Sequence, residues 1–110
     1  MKLPSPERAI VDLLKLQDYC LNLHHPRGRH KARVFASVLG FTATDAELLK
    51  IILLKVVWSS SARLGEKDEH GQRYTLDFPV AGPRGEAIIR SSWIVLDHEN
   101  YPRFLSCYVL

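Results

Sequence analysis

The stretch that decides the fold is GQRYTLDFPVAGPRGEAIIRSSWIVL, residues 71–96. Apolar and polar residues alternate in it on both sides of a Pro-Arg-Gly turn, a pattern typical of a β-hairpin. We expect strands at residues 72–80 and 86–96. Two shorter runs predict further strands at residues 61–64 and 103–109. Because the connections are short, the four strands should form an antiparallel meander.

The residues before this sheet have helical spacing. We expect three helices, at residues 13–21, about 30–39 and 44–58. Asp12 and Thr44 are the expected N-caps, Thr44 within a capping box with Glu47, and Gly40 suits a C-terminal cap. The third helix is apolar nearly all round, which predicts a central core helix. Helices followed by strands indicate one α+β domain over residues 1–110, with the N-terminal helices on one face of a four-stranded antiparallel sheet.

Strand side chains alternate between the two faces of a sheet. We assign Tyr74, Leu76 and Phe78 to the core face, together with Ile89, Ser91, Trp93 and Val95 of the next strand. For that strand the alternative set Ile88, Ile94 and Leu96 fits equally well. In the last strand, Phe104 should lie on the outer face with Ser106 and Tyr108. The polar groups expected on the outer face are Arg73, Thr75, Arg90, Ser92, Ser106 and Tyr108. This surface is suited to a phosphate.

A second segment, HHPRGRHKARVF at residues 24–35, concentrates basic residues without an acid. The chain has 15 basic and 12 acidic residues. Outside this segment, 11 basic residues face 12 acidic ones, so the whole positive excess lies in one place. The candidate substrate-binding cations here are Arg27, Arg29 and Arg33. The segment can equally be a solvated surface or a non-specific polyanion contact.

Several classes of protein do not fit the sequence. No apolar run is long enough for a membrane span, and the N-terminus lacks the apolar core of a signal peptide, so we expect a cytoplasmic protein without membrane contact. Cys20 and Cys107 have neither zinc nor redox spacing and should be buried thiols. The five histidines form no metal-binding pattern, and no glycine-rich phosphate loop or nucleophile elbow is present. We therefore expect no metal and no cofactor.

The remaining titratable groups suit RNA phosphodiester cleavage without metal. That reaction needs a base for the 2′-hydroxyl, an acid for the 5′-oxygen and cations for the phosphorane. The candidate catalytic residues are His30, Lys31, Arg90, Ser106 and Tyr108. Lys31 and Arg90 would bind the phosphate, His30 would be base or acid, and Tyr108 with Ser106 would stand at the other end of the site. Alternatively, Arg73 and Arg90 could pair with Asp77.

The motifs YCLNLHHPRGRHKARVF, EHGQRYTLDFPVAGPRGEAIIRSSWIV and YPRFLSCYVL together resemble a bacterial domain of unknown function. Its pattern includes His-Pro-x-Gly-x-x-Lys-Ala, a Tyr-Gly-x-x-Tyr hairpin and a C-terminal Pro-Arg-Leu-x-Thr-x-Tyr. The positions that match are His25, Pro26, Gly28, Lys31, Ala32, Gly71, Tyr74, Trp93, Pro102, Arg103 and Tyr108. His70 and Ser106 replace a tyrosine and a threonine of the pattern.

The resemblance implies a toxin, because that family occurs as short proteins beside an antitoxin-like partner and as the tip of polymorphic toxins. The order of elements also resembles the barnase, EndoU, colicin and RelE group of ribonucleases. We therefore expect the toxin of a toxin–antitoxin pair, an endoribonuclease for tRNA or mRNA with a small acidic antitoxin. The alternatives are a non-catalytic module that binds nucleic acid or protein, and a nucleotidyl or ADP-ribosyl transferase.

Overall fold

The computed structural model describes all 110 residues as an N-terminal helical layer on one face of a four-stranded sheet. Helix α1 comprises the α-helical Leu13–Lys15 and the π-helical Leu16–Cys20, and α2 comprises the α-helical Arg29–Val34 and the π-helical Phe35–Leu39. Helix α3 spans Ala46–Val56. Short 3-10 turns lie at Pro6–Arg8 and Ala43–Asp45. No helix has both the length and the apolar composition needed to cross a bilayer.

The sheet is an antiparallel meander in the order β1-β2-β3-β4. Its strands are β1 at Ala62–Lys67, β2 at Gly71–Gly82, β3 at Gly85–Leu96 and β4 at Arg103–Val109. The long β2–β3 hairpin has unbroken pairing from Gly71 and Leu96 to Gly82 and Gly85. The pairing of β1 with β2 is interrupted between Leu64 and Lys67. The predicted α+β class and the meander are confirmed.

The helix ends agree with the sequence prediction except at α3. The Asp12 carboxylate accepts a 2.9 Å hydrogen bond from the Leu14 amide, and Gly40 ends α2 with φ at 77°. The predicted Thr44 cap is wrong, because the capping box is formed by Thr42 and Asp45. A 3-10 turn therefore precedes α3, and the helix proper begins two residues later than expected.

The sequence also predicted α3 as a central helix, which is wrong. Leu49 and Leu53 are fully buried, but Leu48 and Ile51 are about half exposed. Helix α3 packs with one side against the rest of the domain and leaves an apolar stripe on the other. The all-round apolar pattern therefore does not report burial on all sides.

The core face of β3 is formed by Ile89, Ser91 and Trp93, while Ile88 is exposed. Ser91 is the only buried polar residue, and its hydroxyl donates to the Leu76 carbonyl at 2.7 Å and accepts from Trp93 Nε1 at 2.9 Å. Both partners keep the buried hydroxyl satisfied, which removes the cost of an unpaired polar group. The first of the two alternative sets is thus observed at Ile89, Ser91 and Trp93, but Val95 is only partly buried, and Ile94 of the other set is buried outside the core cluster.

Phe104 lies in the core, and its predicted outer position is wrong. Trp93 pairs with Phe104 while Ser92 pairs with Ser106, so Leu105 is an extra residue in β4. Such a bulge changes the alternation of side chains along a strand. The Phe104 ring consequently packs edge-on against Trp93, with ring centroids 5.4 Å apart.

The outer edge of β4 is attached to the N-terminal segment. The Phe104 amide donates a hydrogen bond to the Ile10 carbonyl at 2.9 Å, and the Ile10 amide donates one to the Pro102 carbonyl at 3.0 Å. The Lys15 ammonium donates to the Phe104 carbonyl at 3.1 Å. These bonds satisfy edge-strand groups and place α1 beside β4.

Gly28 allows the loop after α1 to lie directly on that helix. A Cβ atom at Gly28 would overlap the Tyr19 carbonyl far inside van der Waals contact. Neither backbone can move easily, because Gly28 is buried at the start of α2. The absence of a side chain therefore sets the separation of α1 and α2.

We expect Gly28→Ala to lower the free energy of unfolding by about 1–3 kcal/mol, the usual cost of overpacking. Gly65→Ala is the matched control, since its Cβ would meet Arg73 atoms at an ordinary 3.4 Å. Urea denaturation followed by circular dichroism measures both. Equal midpoints for the two variants would contradict the close approach at Gly28.

Candidate functional site

A cavity of about 330 Å³ opens between α2 and the end of β4. It is lined by His30, Lys31, Val34, Tyr108 and Val109. His30 and Val34 are four residues apart and therefore share a side of α2. The structure thus brings three of the five predicted catalytic residues, His30, Lys31 and Tyr108, to one place.

Lys31 is the best-defined group of this site. Its Nζ donates to the Tyr19 hydroxyl at 3.1 Å and to the Ser106 hydroxyl at 3.0 Å, and it lies 4.7 Å from the centroid of the Tyr19 ring. No carboxylate forms an ion pair with it. The ammonium is therefore half-buried and oriented by two hydroxyls, and no carboxylate pairs with it.

Two cysteines lie beneath Lys31. The Cys20 sulfur is 3.7 Å from the Ser106 hydroxyl, and Cys20 and Cys107 are both free and fully buried, as predicted. Hydrogen bonds from the Cys107 thiol and amide, then the Ser106 hydroxyl and the Lys31 charge, lower the pKa of Cys20 to about 6 despite its burial. The same contact and burial raise the pKa of Cys107. The Lys31 charge therefore helps to stabilise a Cys20 thiolate, although Cys107 contributes more.

The outer face of the sheet carries four arginines, and each is held by an acid. Arg90 makes a bidentate pair with Asp77 at 2.9 and 2.8 Å, and Arg63 contacts the same carboxylate at 3.2 Å. The hydrogen bonds donated by Arg90, and then the one from Arg63, lower the pKa of Asp77. The same bonds to the Asp77 carboxylate raise the pKa of Arg90. The remaining two pairs are Arg73–Asp68 at 3.4 Å and Arg103–Glu99 at 2.6 Å. This face is far less cationic than its sequence suggests.

The register places the other predicted site residues in two rows across the sheet. Thr75 pairs with Ser92, and Ser92 pairs with Ser106. In the next row Arg90 pairs with Tyr108. Arg90 therefore neighbours the cavity through Tyr108, although its guanidinium is engaged by Asp77.

The basic segment contributes cations that no acid holds. Arg27, Arg29 and Arg33 are exposed and form no ion pair. Arg29 and Arg33 lie on α2, and Arg27 lies in the loop before it. His25 holds this loop, because its Nδ1 accepts hydrogen bonds from the Arg27 amide at 3.0 Å and the Gly28 amide at 2.9 Å.

Sequence reasoning missed three residues of this site. His25 was not selected as a candidate site residue, yet its ring orders the loop and packs edge-on against the Tyr19 ring, with ring centroids 4.8 Å apart. Tyr19 and Cys20 were not selected either. The motif YCLNLHHPRGRHKARVF contains all three residues, and its resemblance to the family was the only signal for them.

We expect a thiolate to form in the folded protein with a midpoint near pH 6, visible as an absorbance increase at 240 nm. Because the folded pKa is lowered from 9.0, this group stabilises the fold fully above pH 9 and loses that contribution as the pH falls through 6. Lys31→Met should raise the midpoint, and Cys20→Ser should remove the transition. A protein that shows no absorbance change below pH 8 would contradict the charge pairing.

Comparisons with known proteins bear on the fold and the family. No curated protein matches the sequence. In the contact-dependent growth inhibition toxin–immunity protein complex from Klebsiella pneumoniae 342, one chain has a similar structure with a TM-score of 0.62. The similarity covers 92% of this chain and 99% of that chain at 16% sequence identity, so it shows a shared fold. Residues 2–110 match DUF6883, a domain of unknown function, and the chain therefore belongs to this family.

Proposed function

We propose that this domain is a bacterial toxin that cleaves tRNA or mRNA without a metal ion, at the cavity between α2 and β4. One observation carries the proposal. Lys31 presents an ammonium without a carboxylate partner at a cavity that His30 and Tyr108 also line. A cation without a carboxylate contact can bind a phosphate directly, whereas a carboxylate-paired cation must first exchange partners.

The proposed reaction is attack of the RNA 2′-oxygen on the adjacent phosphorus. The 2′-hydroxyl proton passes to a base, the bond to the 5′-oxygen breaks, and an acid protonates that oxygen. Lys31 would stabilise the phosphorane, with Tyr19 and Ser106 holding its Nζ in place. His30 is the proposed base or acid, because it is the imidazole that lines the same cavity. The products would be a 2′,3′-cyclic phosphate and a 5′-hydroxyl.

Arg90 is the proposed second cation of the site. It does not line the cavity but neighbours it as the register partner of Tyr108, and the bidentate Asp77 contact fixes its direction. A substrate phosphate near Tyr108 would have to compete with Asp77 for this guanidinium. Arg90 is therefore secondary to Lys31 in the proposal.

The rest of the RNA would lie along the basic segment. Arg27, Arg29 and Arg33 are exposed and free of acids, so they can contact backbone phosphates without breaking an ion pair. Such contacts release counterions and make binding weaken as salt rises. Arg73, Thr75 and Ser92 would extend the contact across the sheet face.

A small acidic protein is the proposed partner. The segment with the positive excess is exposed, so an acidic surface would neutralise it and cover the cavity. The similar chain comes from a complex that holds an immunity protein, which supports a protein inhibitor here. Action on tRNA or mRNA would take place in the cytoplasm of the target cell.

The experiment is incubation of the purified protein with total RNA in EDTA, followed by a denaturing gel. We expect discrete fragments with 2′,3′-cyclic phosphate ends. Lys31→Ala should lower the cleavage rate by about 10²–10³-fold, the usual cost of one transition-state donor. Lys55→Ala, at an exposed lysine on α3, is the matched control and should cleave normally.

Intact RNA in this assay would overturn the ribonuclease proposal. If the intact RNA shows a salt-sensitive mobility shift, the domain is a binding module. If RNA is modified only when nicotinamide dinucleotide is added, the domain is a transferase. Arg90→Ala with full cleavage would remove Arg90 from the mechanism.

A further inference from the structure

Most of the cavity wall is not accounted for by phosphate binding. Only His30 and Lys31 present charge or nitrogen to it. The remaining lining residues are Val34, Tyr108 and Val109. Val34 is 39% exposed and Tyr108 is 37% exposed, so this apolar surface is open to solvent.

An open apolar wall beside a cation suits a ligand that has a flat apolar body and an attached anion. Small-molecule sites combine such walls with a few placed polar groups, and this cavity is at the small end of their size range. A nucleotide has these two parts, because its base has an aromatic face and its phosphate is negative. Bases stack on aromatic side chains in proteins that bind single strands.

We propose that the cavity between α2 and β4 is a subsite for one unstacked nucleotide, with its base against Tyr108 and Val34 and its phosphate at Lys31. This inference rests on the proposed function and names the substrate of the same site. It gives Tyr108 a new role as a stacking platform in place of a proton donor. The Tyr108 ring, and not its hydroxyl, is then the part that binds substrate.

The subsite also restricts the form of the RNA. A base can enter the cavity only after it leaves its neighbours in a helix, and bases in loops, bulges and ends do so most readily. The substrate class is therefore a single-stranded segment of RNA. A continuous duplex would offer its phosphates to Arg27 and Arg29 but no base to Tyr108.

Other occupants fit the cavity less well. A second copy of this chain would bring two basic segments together, which like-charge repulsion opposes. An apolar side chain of a protein partner would fill the wall at Val34 but leave Lys31 without an anion. The nucleotide satisfies both parts of the cavity at once.

The test is a titration with the four nucleoside 3′-monophosphates and with inorganic phosphate, followed by NMR of the backbone amides and valine methyl groups. The largest shifts should occur at His30, Lys31, Val34 and Val109. At least one nucleotide should bind about tenfold more tightly than phosphate, and Tyr108→Leu should remove most of that difference. Tyr108→Phe keeps the ring and should bind as the wild type does. Trp58→Leu, at an exposed aromatic residue after α3, is the control.

The outcomes of this titration test the nucleotide subsite independently of whether the domain cleaves RNA. Nucleotides that bind no better than phosphate, or that bind equally well to a folded Tyr108→Leu variant, would overturn the subsite even if RNA is cleaved. Loss of binding in Tyr108→Phe would also overturn it, because the hydroxyl would then carry the contact. Nucleotide binding with the expected variant pattern but no RNA cleavage would support the subsite and refute the ribonuclease.

Discussion

The attachment of the N-terminal segment to the edge of β4 is the constraint on which the rest of the structure depends. Two backbone hydrogen bonds between Ile10 and the start of β4, and one from Lys15, fix where α1 begins. Because Gly28 lets the next loop touch α1, that anchor also positions α2. The cavity forms where α2 then meets the end of β4, so its geometry depends on contacts made far from it in the sequence.

The distribution of paired and unpaired cations separates two surfaces that look alike in the sequence. On the sheet, Asp77 holds both Arg63 and Arg90, and these pairs organise the outer face. Lys31 is instead held by two hydroxyls. Exposed ion pairs contribute little to stability, but they decide which charges remain available to a ligand. Next to the cavity, the charges without an acid partner lie on α2 and the loop before it.

The sequence predicts this fold well where side-chain alternation is unbroken and poorly where one residue interrupts it. The long hairpin follows from the period of two in β2 and from the turn after it, although the sequence of β3 allowed two core faces. The extra residue Leu105 moves Phe104 into the core, and no local sequence pattern indicates it. The site is harder to predict because its contacts are long-range: Lys31 meets Ser106 across 75 residues. Charge density pointed to Lys31 and His30, but only the fold shows that Tyr19 orients Lys31. The fold also decides that Asp77 binds Arg90, a pair that the sequence left as an alternative, while Arg73 pairs with Asp68.

The two edges of the sheet differ, and this has a consequence for association between chains. Each edge strand pairs with the N-terminal segment only at its start, but α1 and α2 also lie against β4, whereas β1 is exposed from Arg63 onward. Any intermolecular extension of the sheet must therefore start at β1, where Leu64 is 60% exposed. The interrupted register before Lys67, together with the charges of Arg63 and Lys67, works against such strand addition. The irregular end of β1 thus protects the domain against aggregation on the one side that the helices leave open.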